Sequence, residues 1–124
     1  MSTKGYPKRN PAALSRAQVK TLRGLGHGLK PVVRLGRNGL TQGTVGAAIT
    51  ALNDHELIKI GLNPGSQKDR RAEASALAER IGAHITQVIG RTALMYRRHP
   101  NTPEIRLPGR VLQLDDLPSD ESTP

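Results

Sequence analysis

The sequence predicts an α/β fold, a two-layer sandwich in which helices pack on a mixed four-stranded sheet. Three features predict it: helical and strand-like apolar patterns alternate, turns rich in Gly or Pro separate them, and the last two strands follow each other directly. The predicted order of elements is α-β-α-β-α-β-β. Strands joined through helices favour parallel pairing and a hairpin is antiparallel, so we expect a mixed sheet.

Length and charge divide the chain of 124 residues into one folded domain with two extensions. Residues 1–13 are basic and lack apolar periodicity, which predicts a flexible arm. Residues 14–108 hold the predicted domain. We expect residues 109–124 to be a disordered acidic tail, able to fold back on the basic surface as a weak competitor for a ligand.

The first helix is predicted to begin at Ser15, because Ser15 and Gln18 have the spacing of a capping box. Three glycines between residues 24 and 28 are expected to end it. Residues 31–35 then form the first strand, with Pro31 at its first position, where proline is tolerated.

A glycine-bounded turn at residues 36–39 follows this strand and leads at once into an amphipathic helix. Thr41 is the predicted N-cap of that helix. Apolar residues spaced three and four apart, from Val45 to Leu52, give the helix one buried face. The turn is therefore expected to lie at a helix N-terminus.

The remaining elements are a strand at residues 56–62, a helix at residues 68–81 and a hairpin with strands at residues 84–89 and 92–97. Charges of both signs alternate on the third helix, which is typical of a solvated face, so we leave that helix out of the binding site. Residues 105–107 are expected to add a short edge strand. His55 and Glu56 lack further ligands or acids at suitable spacing, so we assign them no catalytic role.

The net charge of +9 points to a polyanionic partner. No acid precedes Asp54, so the N-terminal half has the stronger positive field. The sequence has no cysteine, which excludes disulfides, thiolate catalysis and cysteine-ligated metals. We expect no membrane span and no signal peptide, and hence a cytoplasmic protein that needs no cofactor.

The composition also restricts the kind of nucleic acid that the chain would bind. It has no Phe or Trp and only two Tyr, so it lacks the aromatic platform on which proteins stack single-stranded bases. Contacts to the sugar–phosphate backbone and to the shape of a folded nucleic acid remain.

The turn at residues 36–39 is the predicted site, because the N–H groups and the dipole at a helix N-terminus favour anions. Glycine lets a nucleic-acid backbone come close, and a phosphate would meet the amides of residues 39–41. Nearby Arg and Lys side chains would neutralise the neighbouring phosphates. The predicted nucleic-acid-binding residues are Lys30, Arg34, Gly36, Arg37, Asn38, Gly39, Leu40, Thr41, Arg91, Arg97 and Arg98.

Three other functions fit parts of the sequence. A DNA-binding or nucleoid-associated protein has the same charge signature, and an anionic membrane surface attracts the same residues. An enzyme acting on nucleotides fits less well, because the chain has no Walker lysine motif and no clustered His or carboxylate set. Glycine in the turn also suits a simple connection between strand and helix.

Four blocks of sequence, in order, resemble the CRM domain (chloroplast RNA splicing and ribosome maturation). They read LGHGLKPVV at residues 25–33, LGRNGLT at 35–41, HELIK at 55–59, and VIGRT at 88–92 with YR at 96–97. The resemblance covers about residues 15–107 and is greatest to the stand-alone bacterial, YhbY-like members.

This resemblance implies an α/β fold similar to the C-terminal domain of a translation initiation factor. It implies RNA binding through the Gly-x-x-Gly loop, here Gly36 to Gly39, by a protein that is not an enzyme. It further implies association with 23S ribosomal RNA in precursors of the large ribosomal subunit. We expect a monomer without metal.

Overall fold

The structure is a computed structural model that describes residues 13–109. Its helices and strands follow the predicted order, which confirms the α/β class. They are α1 (Arg16–Gly26), β1 (Pro31–Arg34), α2 (Gln42–His55), β2 (Leu57–Gly61), α3 (Gln67–Ile81), β3 (His84–Ile89) and β4 (Thr92–Tyr96). The predicted arm and tail lie outside the described residues, apart from Ala13 and Gly109.

The four strands form one sheet in the order β1-β2-β4-β3. The β1–β2 pair is parallel, whereas β2–β4 and β3–β4 are antiparallel, so the predicted mixed sheet is confirmed. These directions bring the C-terminal ends of β1 and β2 and the β3–β4 turn to one end of the sheet, here called the loop end. The starts of β1 and β2 and the exit from β4 lie at the other end, here called the far end.

Helices lie on both faces of the sheet. Successive strand residues point to opposite faces, and Ile58, Ile60 and Met95 belong to a core cluster with residues of α2 and α3. Leu57 and Leu94 belong instead to a smaller cluster with Leu22 of α1. The sheet with α2 and α3 makes the two predicted layers, and α1 covers part of the second face. The unbroken apolar run in β4 is the sequence signal of a strand buried on both faces.

Side chains cap the N-termini of all three helices in the described part of the chain. The predicted capping box of Ser15 and Gln18 is confirmed, and Thr41 caps α2 as predicted, with Thr44 as its reciprocal partner. The third helix begins one residue before the predicted start, because Ser66 acts as its N-cap.

The first helix continues to Gly26, beyond the first of the glycines expected to end it. A Cβ atom added at Gly26 would lie 2.5 Å from a methyl group of Leu94. Gly26 therefore lets α1 lie close against β4, a packing role that the sequence did not predict.

The edge strand predicted at residues 105–107 is not present. The backbone N–H of Ile105 donates to Oε1 of Glu56 at 2.8 Å, so this donor is not available to a neighbouring strand. Leu107 packs in the smaller core cluster with Leu22. The segment after β4 is held by a buried carboxylate and an apolar anchor instead of by strand pairing.

Candidate nucleic-acid interface

Gly36 to Gly39 form a tight turn between β1 and α2. The N–H of Gly39 donates to the carbonyl of Gly36 at 2.8 Å, and Arg37 and Asn38 lie exposed at the two central positions. Gly39 has φ 70°, a conformation that side chains disfavour, so the turn itself requires this glycine. A Cβ atom added at Gly36 would meet nothing within 4 Å, so the described structure does not require glycine there.

The N-terminus of α2 follows the turn, and its capping box uses two of the amide groups near it. The N–H of Thr44 donates to Oγ1 of Thr41 at 3.1 Å, and the N–H of Thr41 donates to Oγ1 of Thr44 at 2.9 Å. The amides of Gly39 and Thr41, which the sequence assigned to a phosphate, are thus already bonded within the protein. The first-turn amides of Gln42 and Gly43 are the ones that helix geometry leaves without intrahelical partners.

Leu40 contributes to the core instead of to the surface. It is half-buried and packs against the larger core cluster. Its side chain therefore anchors the end of the turn, and only its backbone is suited to contact a ligand.

Two residues that the sequence reading left outside the site support the turn. The side-chain amide of Asn63 donates to the carbonyl of Gly36 and to Oε2 of Glu73, both at 2.8 Å. Oε1 of Glu73 accepts from the backbone N–H of Asn63 at 2.9 Å. Glu73 is half-buried on α3, where the charge pattern predicted a solvated face. These bonds fix the first residue of the turn to α3 over a sequence separation that no local motif reveals.

Three exposed arginines lie at the loop end. Arg37 is in the turn, and Arg91 is in the β3–β4 turn, where its carbonyl accepts the N–H of Leu62 at 2.7 Å. Arg34 is the last residue of β1 and lies across Gly61: a Cβ atom added at Gly61 would be 2.8 Å from Nη1 of Arg34. Among residues 13–109, no acidic side chain pairs with Arg37 or Arg91. The loop end therefore presents exposed positive charge around a helix N-terminus.

The structure does not bring Lys30, Arg97 and Arg98 to this end of the sheet. Lys30 precedes β1 and lies at the far end, and a rise of about 3.3 Å per residue puts its backbone roughly 20 Å from Gly36. Arg97 and Arg98 follow β4 and also lie at the far end. The predicted binding residues are thus divided between the two ends of the sheet, because the turn of a hairpin and its exit lie at opposite ends of the strands.

Arg97 has structural partners at the far end. Its Nη1 donates to the carbonyl of Ile81 at 2.8 Å, and its Nη2 donates to Oδ1 of Asn53 at 2.9 Å. Partial burial lowers the pKa of Arg97 to about 10, still well above neutral pH, so the guanidinium remains charged. A cation bonded to a C-terminal carbonyl of α3 favours that helix through its dipole.

Two further properties concern residues 13–109 alone. No group of three or more His, Asp or Glu side chains there is arranged to hold a metal ion. No helix in the same residues has the length and apolar character needed to span a bilayer.

Comparison with known proteins places these features in a family. Residues 14–97 match the CRS1 / YhbY (CRM) domain. The chain is 43% identical over 88 residues to Probable RNA-binding protein PA4753 of Pseudomonas aeruginosa, a match that covers 71% of this chain and 85% of that protein. It is 39% identical over 84 residues to a Haemophilus influenzae protein named RNA-binding protein, covering 68% of this chain and 85% of the relative.

A solved structure resembles the fold as well. It is the solution structure of a hypothetical Staphylococcus aureus protein presented as a candidate RNA-binding protein, with a TM-score of 0.69 and 29% sequence identity. The match covers 77% of this chain and 100% of that one. The matched family region contains the turn, α2 and the β3–β4 hairpin. The chain belongs to the CRS1/YhbY (CRM) domain family.

Proposed function

We propose that this protein binds structured RNA through the loop end and catalyses no reaction. We further propose that its RNA is 23S ribosomal RNA in precursors of the large ribosomal subunit, in the cytoplasm. The observation that carries the proposal is the exposed Gly36-Arg37-Asn38-Gly39 turn at the N-terminus of α2, flanked by Arg34 and Arg91.

The geometry suits a sugar–phosphate backbone. Gly36 has open space where a side chain would stand, so a nucleic-acid strand can approach the backbone there. A phosphate near the turn would meet the first-turn amides of Gln42 and Gly43 and the positive end of the helix dipole. Arg37 and Arg91 can each donate two parallel hydrogen bonds to phosphate oxygens.

Recognition would depend on the folded shape of the RNA. Tyr96 is buried, and the sequence has no Phe or Trp, so residues 13–109 present no exposed aromatic ring of Phe, Tyr or Trp for stacking bases. Contacts to phosphates and 2′-hydroxyl groups would then carry the affinity. The names of the Pseudomonas and Haemophilus relatives favour RNA over DNA as the partner. The ribosomal assignment rests on the resemblance to the CRM domain described above.

Competition between RNA and DNA tests the proposal. The full chain is bound to a labelled fragment of 23S RNA, and duplex DNA of equal length is added at the same salt concentration. We expect unlabelled structured RNA to displace the probe at much lower concentration than DNA does. Equal competition by duplex DNA would favour a DNA-binding or nucleoid-associated protein instead.

A matched pair of glycine variants tests the turn itself. Gly36→Ala adds a methyl group into open space, so it should leave stability unchanged but lower RNA affinity about tenfold, since it keeps the RNA backbone at a distance. Gly24→Ala adds the same group in open space on α1, away from the turn, and should bind RNA as the natural chain does. Full affinity in a folded Gly36→Ala variant would show that the turn only connects β1 to α2. Crosslinking in cells, followed by sequencing of the attached RNA, would test the ribosomal assignment.

A further inference from the structure

Three exposed apolar side chains lie close together in the sequence where α1 ends and β1 begins. Leu25, Leu29 and Val32 are 50%, 37% and 53% exposed, and we call them the apolar patch. Val33 belongs to the core on the side of α2 and α3. Val32 stands beside it where the β1–β2 register shifts, and its exposure places it outside that core. Clustered exposed apolar groups of this kind mark contact surfaces.

Basic side chains border the apolar patch. Lys30 lies between Leu29 and Val32 in the sequence, and Arg34, which follows the core residue Val33 and pairs with Gly61, lies on the face of the sheet that α1 covers in part. Lys59 stands between Ile58 and Ile60, which point to the other face, and it pairs in register with Pro31. Neither α1 nor β1 contains an acid. A partner that fits this surface must combine apolar groups with negative charge.

The C-terminal sequence of this chain has that combination. Residues 111–124 read VLQLDDLPSDESTP, with four apolar residues in the first half, four acids and no base. Elsewhere in the chain, no segment of similar length combines several acids with an absence of base. The composition of this segment is therefore complementary to both parts of the surface.

The described chain ends on the same face as the apolar patch. Leu107 is buried in the smaller core cluster with Leu22 of α1. Leu22 and Leu25 are three residues apart on that helix and therefore lie next to each other on the same side of it. Only three residues separate Leu107 from Val111, a span of at most about 13 Å. Such a short tether gives an effective concentration on the order of millimolar, so a weak contact suffices.

We propose that residues 111–124 dock on the apolar patch, with their carboxylates against Lys30, Arg34 and Lys59. The docked segment competes with RNA, because Arg34 belongs both to this surface and to the loop end. Docking is independent of the proposed function, whereas the competition rests on it.

Docking is tested in the full chain by two-dimensional NMR of backbone amides. One variant neutralises the acids of the segment: Asp115→Asn, Asp116→Asn, Asp120→Asn and Glu121→Gln. A second replaces its leucines: Leu112→Ser, Leu114→Ser and Leu117→Ser. We expect both variants to shift the amide signals of residues 25–34 and of Lys59. Unchanged signals in either variant would overturn the proposal, because docking needs both kinds of group.

A matched control neutralises acids elsewhere. Asp54→Asn, Glu79→Gln and Glu104→Gln change three exposed acids outside the segment. This control should leave the amide signals of Leu25, Leu29 and Val32 in place. Equal shifts there would mean that net charge alone moves the signals, which would overturn docking.

RNA affinity tests the competition. At low salt, the variant with a neutral segment should bind the 23S fragment about threefold to tenfold more tightly than the natural chain, and salt should remove the difference. Unchanged affinity together with shifted amide signals would overturn the competition but support docking. If no variant binds RNA, the proposed function fails, while the amide signals still decide whether the segment docks.

Discussion

Both ends of the sheet carry arginines, but these arginines differ in exposure and in hydrogen-bond partners. At the loop end, Arg37 and Arg91 are exposed in turns. At the far end, Arg97 is half-buried, and its guanidinium donates to Ile81 and Asn53. A guanidinium whose N–H groups already have protein acceptors stabilises the fold, whereas an exposed one is available to a phosphate. Hydrogen-bond partners, more than charge, separate these two roles.

Glu56 is an acid at the far end whose hydrogen bonds likewise give it a structural role. Its side chain is 4% exposed, and its carboxylate accepts the backbone N–H groups of His99, Glu104 and Ile105 at 2.7 to 2.9 Å. Its own φ of 64° ends α2 and turns the chain into β2. Glu56 thus connects the segment after β4 to the end of α2, and these contacts stabilise the far end of the fold.

The largest expected effect comes from removing that carboxylate. Glu56→Ala leaves three backbone N–H groups without an acceptor, so we expect the free energy of unfolding in urea to fall by about 3 kcal/mol or more. Glu79→Ala removes an exposed acid from α3 and should change it by less than about 0.5 kcal/mol. Equal stability of the two variants would contradict the structural role of Glu56.

A smaller effect is expected from two arginine variants, one at each end of the sheet. Arg97→Met keeps an apolar stem but loses the bonds to Ile81 and Asn53, so it should cost about 2 kcal/mol of stability. The salt dependence of its RNA affinity should not change. Arg91→Met should do the reverse, leaving stability unchanged and making the salt dependence shallower. If Arg97→Met made the salt dependence shallower instead, the far end would be part of the RNA surface.

Sequence periodicity and capping patterns were sufficient to predict the turn and the seven helices and strands of residues 13–109, although the edge strand predicted at residues 105–107 was wrong. The capping residues Ser15 and Thr41 could be predicted because a capping box is a local motif. Asn63 and Glu73 could not, because Asn63 bonds to Gly36 over 27 positions and Glu73 supports the turn only through Asn63, ten positions away. The placement of Arg97 followed from the hairpin itself, since a strand of five residues separates it from Arg91. The predicted site included Lys30, Arg97 and Arg98 because of their charge, although the directions of the strands place these residues at the far end.

The smallest expected effect is the most specific test of the loop end. Arg37→Gln removes one exposed charge that has no partner among residues 13–109, so stability should not change. If Arg37 contacts one phosphate, the slope of log K against log salt concentration should become shallower by about one unit. Arg80→Gln makes the same change of charge on the exposed side of α3 and should leave the slope as it is. Equal slopes in the two variants would mean that the general positive field, and not the turn, holds the RNA.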